Sequence, residues 1–502
     1  MADFLRRKNL DQIQADAEGG TQLHLKRSLG AVDLVSLGIG AIVGTGIFAI
    51  IGTAAAGGAG HLGAGPGVAL SFVITAVACA FCALCYAEFA ALVPIAGSAY
   101  TYSYATLGEM VAWIIGWDLI IEYAVGNVAV AIAWAAYFHQ LAEGLGVHIP
   151  AWLAVDYRSA AQAAEAVAAG GQVTVANALP YEAWTSHPVI LGVPVVFNFL
   201  ALLIVAAVTW LLVVGIKESA RANTVMVVLK VVILLFFIVV GAFYVKPENW
   251  SPFLPNGLSG VWTGASLIFF AFIGFDAIST AAEECRNPGR DMPIGIIGSL
   301  LVSTVLYVAT AMVLTGVSPW NELGVADPLA DVFARLGLDW AAGIVAFGAV
   351  VSMTAVLLVF QLGQPRIFFS MSRDGLLPPY FARVHPKYRT PHLTTIWTGV
   401  AVAAIAAVAN INEIVELTNI GTLFAFVLVC AGVIILRYTD PDRPRAFRTP
   451  LVPLVPLLGI AMCVYLMMGL PRVTWIRFGI WLAAGLVLYF AYGFWKSKLR
   501  RV

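Results

Sequence analysis

The stretch LGIGAIVGTGIF, residues 37–48, decides how this chain folds, because it places four glycines inside the first long apolar run. Each glycine in a helix interior costs about 1 kcal/mol relative to alanine. Lipid offers no hydrogen-bond partner to a backbone group that leaves a helix, so a membrane segment normally stays helical throughout. The stretch predicts a helix that unwinds halfway. Close helix packing through Gly40-x-x-x-Gly44 is the alternative interpretation.

The composition of the whole chain indicates a membrane protein. Of its 502 residues, 61% are hydrophobic and 11% are charged, where soluble proteins carry about 25% charged residues. The net charge is zero, so nothing suggests a nucleic-acid partner. Apolar runs long enough to cross a bilayer recur along the chain. We predict twelve all-α spans, at 31–56, 66–93, 111–142, 189–215, 222–244, 258–284, 293–316, 340–363, 393–410, 414–436, 450–470 and 476–495.

The basic residues predict the orientation of these spans. With the N-terminus in the cytoplasm, 22 Lys and Arg lie on the inner side and 5 on the outer side, and Lys230 falls within a span. An excess of Lys and Arg is typical of cytoplasmic loops. We expect a multi-pass protein of the cell (plasma) membrane with cytoplasmic tails at 1–30 and 496–502 and no removable signal peptide.

The sixth span contains a second interruption, FFAFIGFDAIST at 269–280, which places Gly274 and Asp276 in mid-membrane. Spans one and six each open a set of five, residues 31–244 and 258–436. Because five is odd, the second set enters the membrane inverted. Paired interrupted helices in inverted halves indicate the binding site of a transporter. The last two spans, residues 450–495, form a peripheral pair.

An interrupted helix exposes two kinds of polar group. The second half-helix presents free N–H groups that suit a carboxylate, and the first ends in free carbonyls that suit an ammonium. An α-amino acid carries both groups one carbon apart. The residues therefore predict a transporter of L-amino acids.

Other function classes find little support in the sequence. A channel needs a ring of repeated ligands along continuous helices, which a 5+5+2 arrangement does not provide. The chain contains no HExxH, GxSxG or P-loop motif, so we expect neither an enzyme nor an ATP-driven pump. We expect no cofactor and no metal site. None of the cysteines falls in a predicted outer loop, so a disulfide-linked partner subunit is not expected.

Five stretches resemble the amino acid–polyamine–organocation permeases, and most closely their cationic amino-acid transporter branch. They are residues 37–48, CYAEFAALVPIAGSAYTYSYATLGE (85–109), FFAFIGFDAISTAAEECRNPGRDMPIGI (269–296), SRDGLLPPYFARVHPKYRTP (372–391) and ELTNIGTLFAF (416–426). The resemblance implies the leucine-transporter-type fold of five plus five inverted helices and amino-acid uptake by alternating access. Animal members carry two further spans, so we expect the shorter bacterial form.

The resemblance also assigns a substrate site. It implies that the backbone at Val43, Gly44, Thr45 and Gly46 holds the carboxylate. The ammonium would lie on carbonyls near Ala41, Ile42, Phe269 and Ile273. Phe270 matches the aromatic side chain that closes over the substrate, although without the resemblance it would be read as a packing residue.

Lys230 stands in the fifth span with no charged neighbour for seven positions on either side. It lies roughly 12 Å from the cytoplasmic end of the span at 1.5 Å per residue. Lysines at such depth are costly and usually functional. The resemblance implies that Lys230 occupies the place of a sodium ion between spans one and eight, so we expect coupling to protons and not to sodium. Snorkelling to the inner surface is the alternative.

The substrate class and the roles of the other embedded charges are inferred from single residues. Glu122 lies one helical turn after Asp118 and lines the pocket or a proton path, or pairs with a basic residue. Phe360 matches a position that is smaller and polar in arginine and lysine carriers. We therefore expect small neutral amino acids such as alanine. Cationic amino acids, or exchange without protons, are the alternatives. We also expect an inner ion-pair network that includes Glu88, Glu283, Glu284, Arg286, Arg290, Arg366 and Arg373.

Overall fold

A computed structural model describes residue 6 and residues 29–58, 61–92, 98–190, 192–214, 220–388 and 390–500. Most of the N-terminal tail at 1–30 and the end of the C-terminal tail lie outside these ranges. The side chains of Glu283 and Glu284 also lie outside the described part of the chain.

The first half of the chain is helical apart from two short hairpins. Its elements are α1 (Ala31–Ile42), a π turn (Gly46–Ile50), α2 (Ile51–Ala56), β1 (Gly57–Gly58), β2 (His61–Leu62), a 3-10 turn (Gly65–Gly67), α3 (Val68–Leu92), α4 (Ser98–Thr106), α5 (Glu109–Ile120), a π turn (Ile121–Val125), α6 (Gly126–Gly144), α7 (Ala151–Ala154), α8 (Tyr157–Ala168), α9 (Val175–Ser186), β3 (Val189–Ile190), β4 (Val193–Pro194), α10 (Phe199–Val214) and α11 (Ala220–Ala242). Both hairpins, β1–β2 and β3–β4, are antiparallel.

The second half is helical throughout. It contains a 3-10 turn (Pro247–Trp250), α12 (Gly257–Ile268), 3-10 segments (Phe269–Phe272 and Asp276–Glu284), α13 (Pro288–Val317), a 3-10 turn (Trp320–Glu322), α14 (Pro328–Arg335), α15 (Asp339–Arg373), a 3-10 turn (Pro379–Ala382), α16 (His392–Val408), α17 (Ile411–Thr439), α18 (Leu454–Met468), α19 (Arg472–Leu488), a π turn (Tyr489–Gly493), α20 (Phe494–Lys496) and a 3-10 turn (Lys498–Arg500).

Eight helices among the described residues are long and apolar enough to cross a membrane. A ninth span is formed by α1 together with Gly46–Ala56, whose axes differ by 45°. Three shorter apolar helices, α10, α16 and α18, lie within the ranges predicted for spans four, nine and eleven. The polytopic helical architecture is confirmed, and the count of twelve spans stays a prediction.

The predicted start of the fourth span at residue 189 is wrong. Residues 189–194 form the β3–β4 hairpin, with Gly192 at φ +79°, and α10 begins at Phe199. The apolar run there includes Pro188 and Pro194, which lack the N–H that a helix interior requires. The segment between α6 and this hairpin contains three further helices, α7, α8 and α9, which the sequence does not predict.

The long helices pack as two groups. In the first group α13 packs on α1 and α3, and α12 packs on α3, whereas α6, α10, α15 and α16 form the second group. Helix α11 contacts α1 and α13 of the first group and α15 of the second. A residue on the inward face of α11 can therefore hold the two groups together.

Candidate functional site

The first helix is interrupted where the glycines are concentrated. Helix α1 ends at Ile42, Val43 is extended (φ −76°, ψ 102°), and helical structure resumes with the π turn at Gly46. No acceptor among the described residues pairs with the amide N–H groups of Gly44, Thr45 or Gly46. The buried Thr45 hydroxyl has no hydrogen-bond partner there either. Four buried donors without a partner thus lie on three consecutive residues, a suitable arrangement for an anion.

The glycines at this break also allow close contact. A Cβ atom on Gly46 would lie 2.2 Å from the Cα atom of Ala271, and one on Gly44 would lie 2.9 Å from Val356. Gly274 has φ +118° and approaches the carbonyl oxygen of Ala41. Close packing, considered above as an alternative to a binding site, is therefore present at the same residues. It brings the first break directly against the second.

The carbonyl groups that end α1 are engaged by three side chains from other helices. The Lys230 Nζ donates to the Gly40 carbonyl at 2.6 Å, the Tyr307 hydroxyl lies 2.9 Å from that of Ile42, and Ser352 donates to Val43 at 3.3 Å. Tyr307 also lies 3.0 Å from the Ala271 carbonyl of the second break. Sequence reasoning missed Tyr307 and Ser352, since neither belongs to a motif.

The Lys230 side chain is 1% exposed, and its ammonium points at the break instead of at the membrane surface. This geometry does not fit a lysine that snorkels to the interface. Because α11 contacts both helix groups, the hydrogen bond to Gly40 connects the interrupted helix to the element between them.

The second break follows α12. The 3-10 segment Phe269–Phe272 ends at Ile273, which is extended (ψ 134°), and Asp276 accepts a hydrogen bond from the Gly274 N–H at 3.2 Å. Phe269 packs edge-on against Phe426 of α17. Phe270 is buried. All three predicted residues of this segment, Phe269, Phe270 and Ile273, therefore lie in the interior beside the first break.

Three carboxyl groups lie buried near the second break. Glu122, in the π turn Ile121–Val125, lies near Asp276 of the 3-10 segment after the break and near Thr422 of α17, and Asp118 lies one helical turn before it. Neither Asp118 oxygen has a hydrogen-bond partner among the described residues, and the same holds for Oδ2 of Asp276. Isolated charges in such a place are very costly. A π turn often marks a functional position within a helix, but sequence reasoning did not predict it.

Phe360 forms the other side of this region. Its ring packs edge-on against Tyr123 at 5.7 Å between centroids, and a Cβ on Gly126 would lie 3.3 Å from it. Next to it, the Asn127 amide donates to Gln361 at 2.7 Å. The α15 wall is therefore aromatic and neutral at this level.

Glu88 does not pair with the arginines of the predicted inner ion-pair network. Glu88 accepts two hydrogen bonds from Arg437, both at 2.9 Å, lies 3.2 Å from Arg445 and accepts the Thr449 N–H. It therefore connects α3 to the loop after α17, and not to Arg286, Arg290, Arg366 or Arg373. Ion-pair partners depend on tertiary structure, which sequence separation does not reveal.

A cavity of about 1270 Å³ lies toward the predicted outer side, between α2, α6, the loop helices α8 and α9, and α14. Its lining includes the carboxyl groups Glu143, Asp156, Asp327, Asp331 and Asp339, and none of the described lining residues is Lys or Arg. Arg335, just outside, pairs with Asp331. Burial raises the pKa of Asp327 to about 7, and the neighbouring Asp331 adds to this. Burial likewise raises the pKa of Asp156 to about 6.

Comparison with known proteins gives the family. A family model described as amino acid permease matches residues 29–492. The chain belongs to this family of permeases. It is therefore a membrane transport protein and not an enzyme.

Individual relatives differ in the substrate that their names give. The chain is 48% identical over 497 residues to the branched-chain amino acid permease of Bacillus subtilis, with 99% of both chains covered. It is 43% identical over 501 residues to the methylthioribose transporter of the same organism, with both chains covered completely. It is 36% identical over 448 residues to the vacuolar cationic amino acid transporter 4 of Arabidopsis thaliana, covering 88% of this permease and 68% of the relative. Overall similarity thus shows the family without the substrate.

Proposed function

We propose that this permease carries small neutral L-amino acids, such as alanine, into the cell by alternating access, driven by protons. The fold would be of the leucine-transporter type, with five plus five inverted helices and a peripheral pair. One observation carries the proposal: the first break contains both free amide donors and a buried lysine. The donors at Gly44, Thr45 and Gly46 suit the substrate carboxylate.

The ammonium of the substrate would lie on carbonyls at Ala41, Ile42, Phe269 and Ile273. Gly274 approaches the Ala41 carbonyl, which supports one shared position between the two breaks. The Ile42 carbonyl has a second lone pair besides the one that Tyr307 uses.

Proton coupling would run through Lys230. When Lys230 is protonated, its ammonium binds the Gly40 carbonyl and so holds the first break in place. When Lys230 loses its proton, the hydrogen bond loses the charge that strengthens it, and α1 is released from α11. A cation in this place competes with sodium for the same oxygens, so sodium coupling is not expected. The buried carboxyl groups of Glu122 and Asp276 would supply a second proton-exchanging group near the other break.

The neutral substrate class is supported by the wall at Phe360. A guanidinium or ammonium at the end of a long side chain needs a paired acceptor, since burying it unpaired costs several kcal/mol. Phe360 supplies none, and its ring packs against Tyr123.

Cationic amino acids are the second candidate, favoured by the carboxyl groups in the outer cavity. Proteoliposome uptake decides between the classes. Labelled alanine uptake should rise severalfold with an inward proton gradient, and a hundredfold excess of arginine should compete weakly. Strong competition by arginine would overturn the neutral class. Counterflow without any effect of the gradient would identify an exchanger.

A further inference from the structure

A groove opens on the cytoplasmic half of α13, facing the lipid. It has a volume of about 600 Å³ and is formed by one helix and one loop. Its lining is Gly289, Arg290, Pro293, Ile294, Ile297 and Gly298 of α13, with Ala446 and Phe447 of the loop after α17. A Cβ on Gly289 would lie 2.3 Å from that of Ala446, so the helix and the loop touch at the closed end.

The cytoplasmic end of this groove is positively charged. Arg290 lines it, Arg448 follows the lining residue Phe447, and Arg286 precedes α13; all three are exposed. No described carboxylate forms an ion pair with any of them, whereas Arg443 pairs with Asp440.

Three acidic residues of neighbouring segments form no ion pair with these arginines. Glu88 is bound by Arg437 and Arg445, and the Asp33 carboxylate accepts the Gly30 N–H. Asp291 is buried within α13. Exposed arginines without an ion-pair partner at this level of a membrane protein attract negatively charged headgroups.

The rest of the groove is apolar and continues along α13 into the membrane. Ile294, Ile297, Leu301 and Val305 recur at helical spacing on one face, and each is 38–65% exposed. Within a bilayer such a face suits an acyl chain. The stripe begins at the arginine end, so that a charged headgroup and an acyl chain fit side by side.

We propose that this groove binds one anionic phospholipid of the inner leaflet. Its phosphate lies between Arg290 and Arg448, and one acyl chain lies along the Ile294–Val305 stripe. The bound lipid bridges α13, which packs on α1 and α3, to the loop between α17 and α18. It therefore joins the helices of the first break to the periphery from the cytoplasmic side.

Native mass spectrometry on protein purified in the presence of phosphatidylglycerol tests the site. We expect the wild type to retain one phosphatidylglycerol in preference to phosphatidylcholine, and the variant Arg290→Gln/Arg448→Gln to retain at least fivefold less. A control variant, Arg383→Gln/Lys387→Gln, removes the same charge from exposed residues of the loop after α15 and should retain it normally. Equal retention by all three proteins would overturn the proposal.

A second arm separates the lipid from other occupants. Ile297→Trp fills the apolar part without changing the charge, and it should also reduce phosphatidylglycerol retention severalfold. Thermal unfolding in detergent should be stabilised by phosphatidylglycerol and not by inorganic phosphate. Equal stabilisation by phosphate would indicate a free-anion site, and a dimer that the arginine variant abolishes would indicate a second copy of this chain. Either result would refute lipid binding.

Discussion

The two polar regions of this permease have opposite character. The first break is rich in donors: three free amides and the Thr45 hydroxyl lie on one side of it, and the Lys230 ammonium binds the Gly40 carbonyl on the other side. In the outer cavity the lining carries five carboxyl groups and no described Lys or Arg. The cavity therefore favours the approach of positive charge, whereas the break is suited to hold a carboxylate. Approach and binding are controlled by different residues, and they can be changed separately.

The largest effect is expected from Gly46→Ala. The new Cβ would lie 2.2 Å from the backbone of Ala271, so the two breaks cannot keep their contact. We expect transport to fall at least a hundredfold in proteoliposomes, with the outer cavity unchanged. Gly479→Ala is the matched control, because nothing lies within 4 Å of its added Cβ. Normal uptake by Gly46→Ala would show that the contact between the breaks is dispensable.

Lys230→Met removes the cation from the break. We expect alanine to bind within about threefold of wild type, because the amide donors remain, and the stimulation of uptake by an inward proton gradient to disappear. Binding by calorimetry and uptake with and without a gradient measure the two effects. Lys246→Met, in an outer loop, serves as the control. Gradient-driven accumulation by the Lys230 variant would rule out this lysine as the coupling group.

Phe360→Ser changes the wall beside the break without touching either charge. The smaller side chain opens space against Tyr123 and Gly126. Competition of alanine uptake by leucine, lysine and arginine should strengthen about three- to tenfold. Phe347→Ser, on the lipid-facing side of α15, should behave as wild type. An unchanged competition profile would place the specificity-determining wall elsewhere.

The smallest effect concerns the outer cavity. With a pKa of about 7, the Asp327 carboxyl is mostly neutral at pH 6 and mostly ionised at pH 8. The cavity gains negative charge across this range, so at low salt arginine should inhibit alanine uptake about twofold more strongly at pH 8. This difference should shrink in Asp327→Asn, where Asp156 still titrates in part, and it should vanish in high salt. It should stay unchanged in the control Asp442→Asn, in the loop after α17, and an unchanged difference in Asp327→Asn would exclude this carboxyl group.

Several features of the fold could be predicted because they depend on local composition. Long apolar runs indicate spans through their length alone, and the glycines of residues 37–48 weaken one helix regardless of its neighbours. The fourth span was predicted too early because apolar content does not distinguish a proline-bounded hairpin from a helix. The loop helices α8 and α9 were not predicted because each has only 12 residues, too few to span a membrane.

For the candidate site, residue type and depth singled out Lys230, and the paired breaks singled out the residues around Gly44 and Gly274. The partners of these residues could not be predicted. Tyr307 and Ser352 come from helices far along the chain, and nothing in their local sequence distinguishes them from packing residues. The partners of Glu88, Arg437 and Arg445, lie outside the predicted network for the same reason.

The sequence by itself determined that this is a polytopic helical protein of the amino acid permease type, that its first and sixth apolar segments are weak helices, and that a lysine lies buried in the fifth. Tertiary structure alone decided which residues lie near Glu122, which carbonyl accepts the hydrogen bond from Lys230, and which carboxyl groups line the outer cavity. The physical reason is that helix strength and depth in a membrane follow from neighbouring residues along the chain. Hydrogen bonds and ion pairs instead form between groups only a few ångströms apart, which only the packing of distant helices brings together.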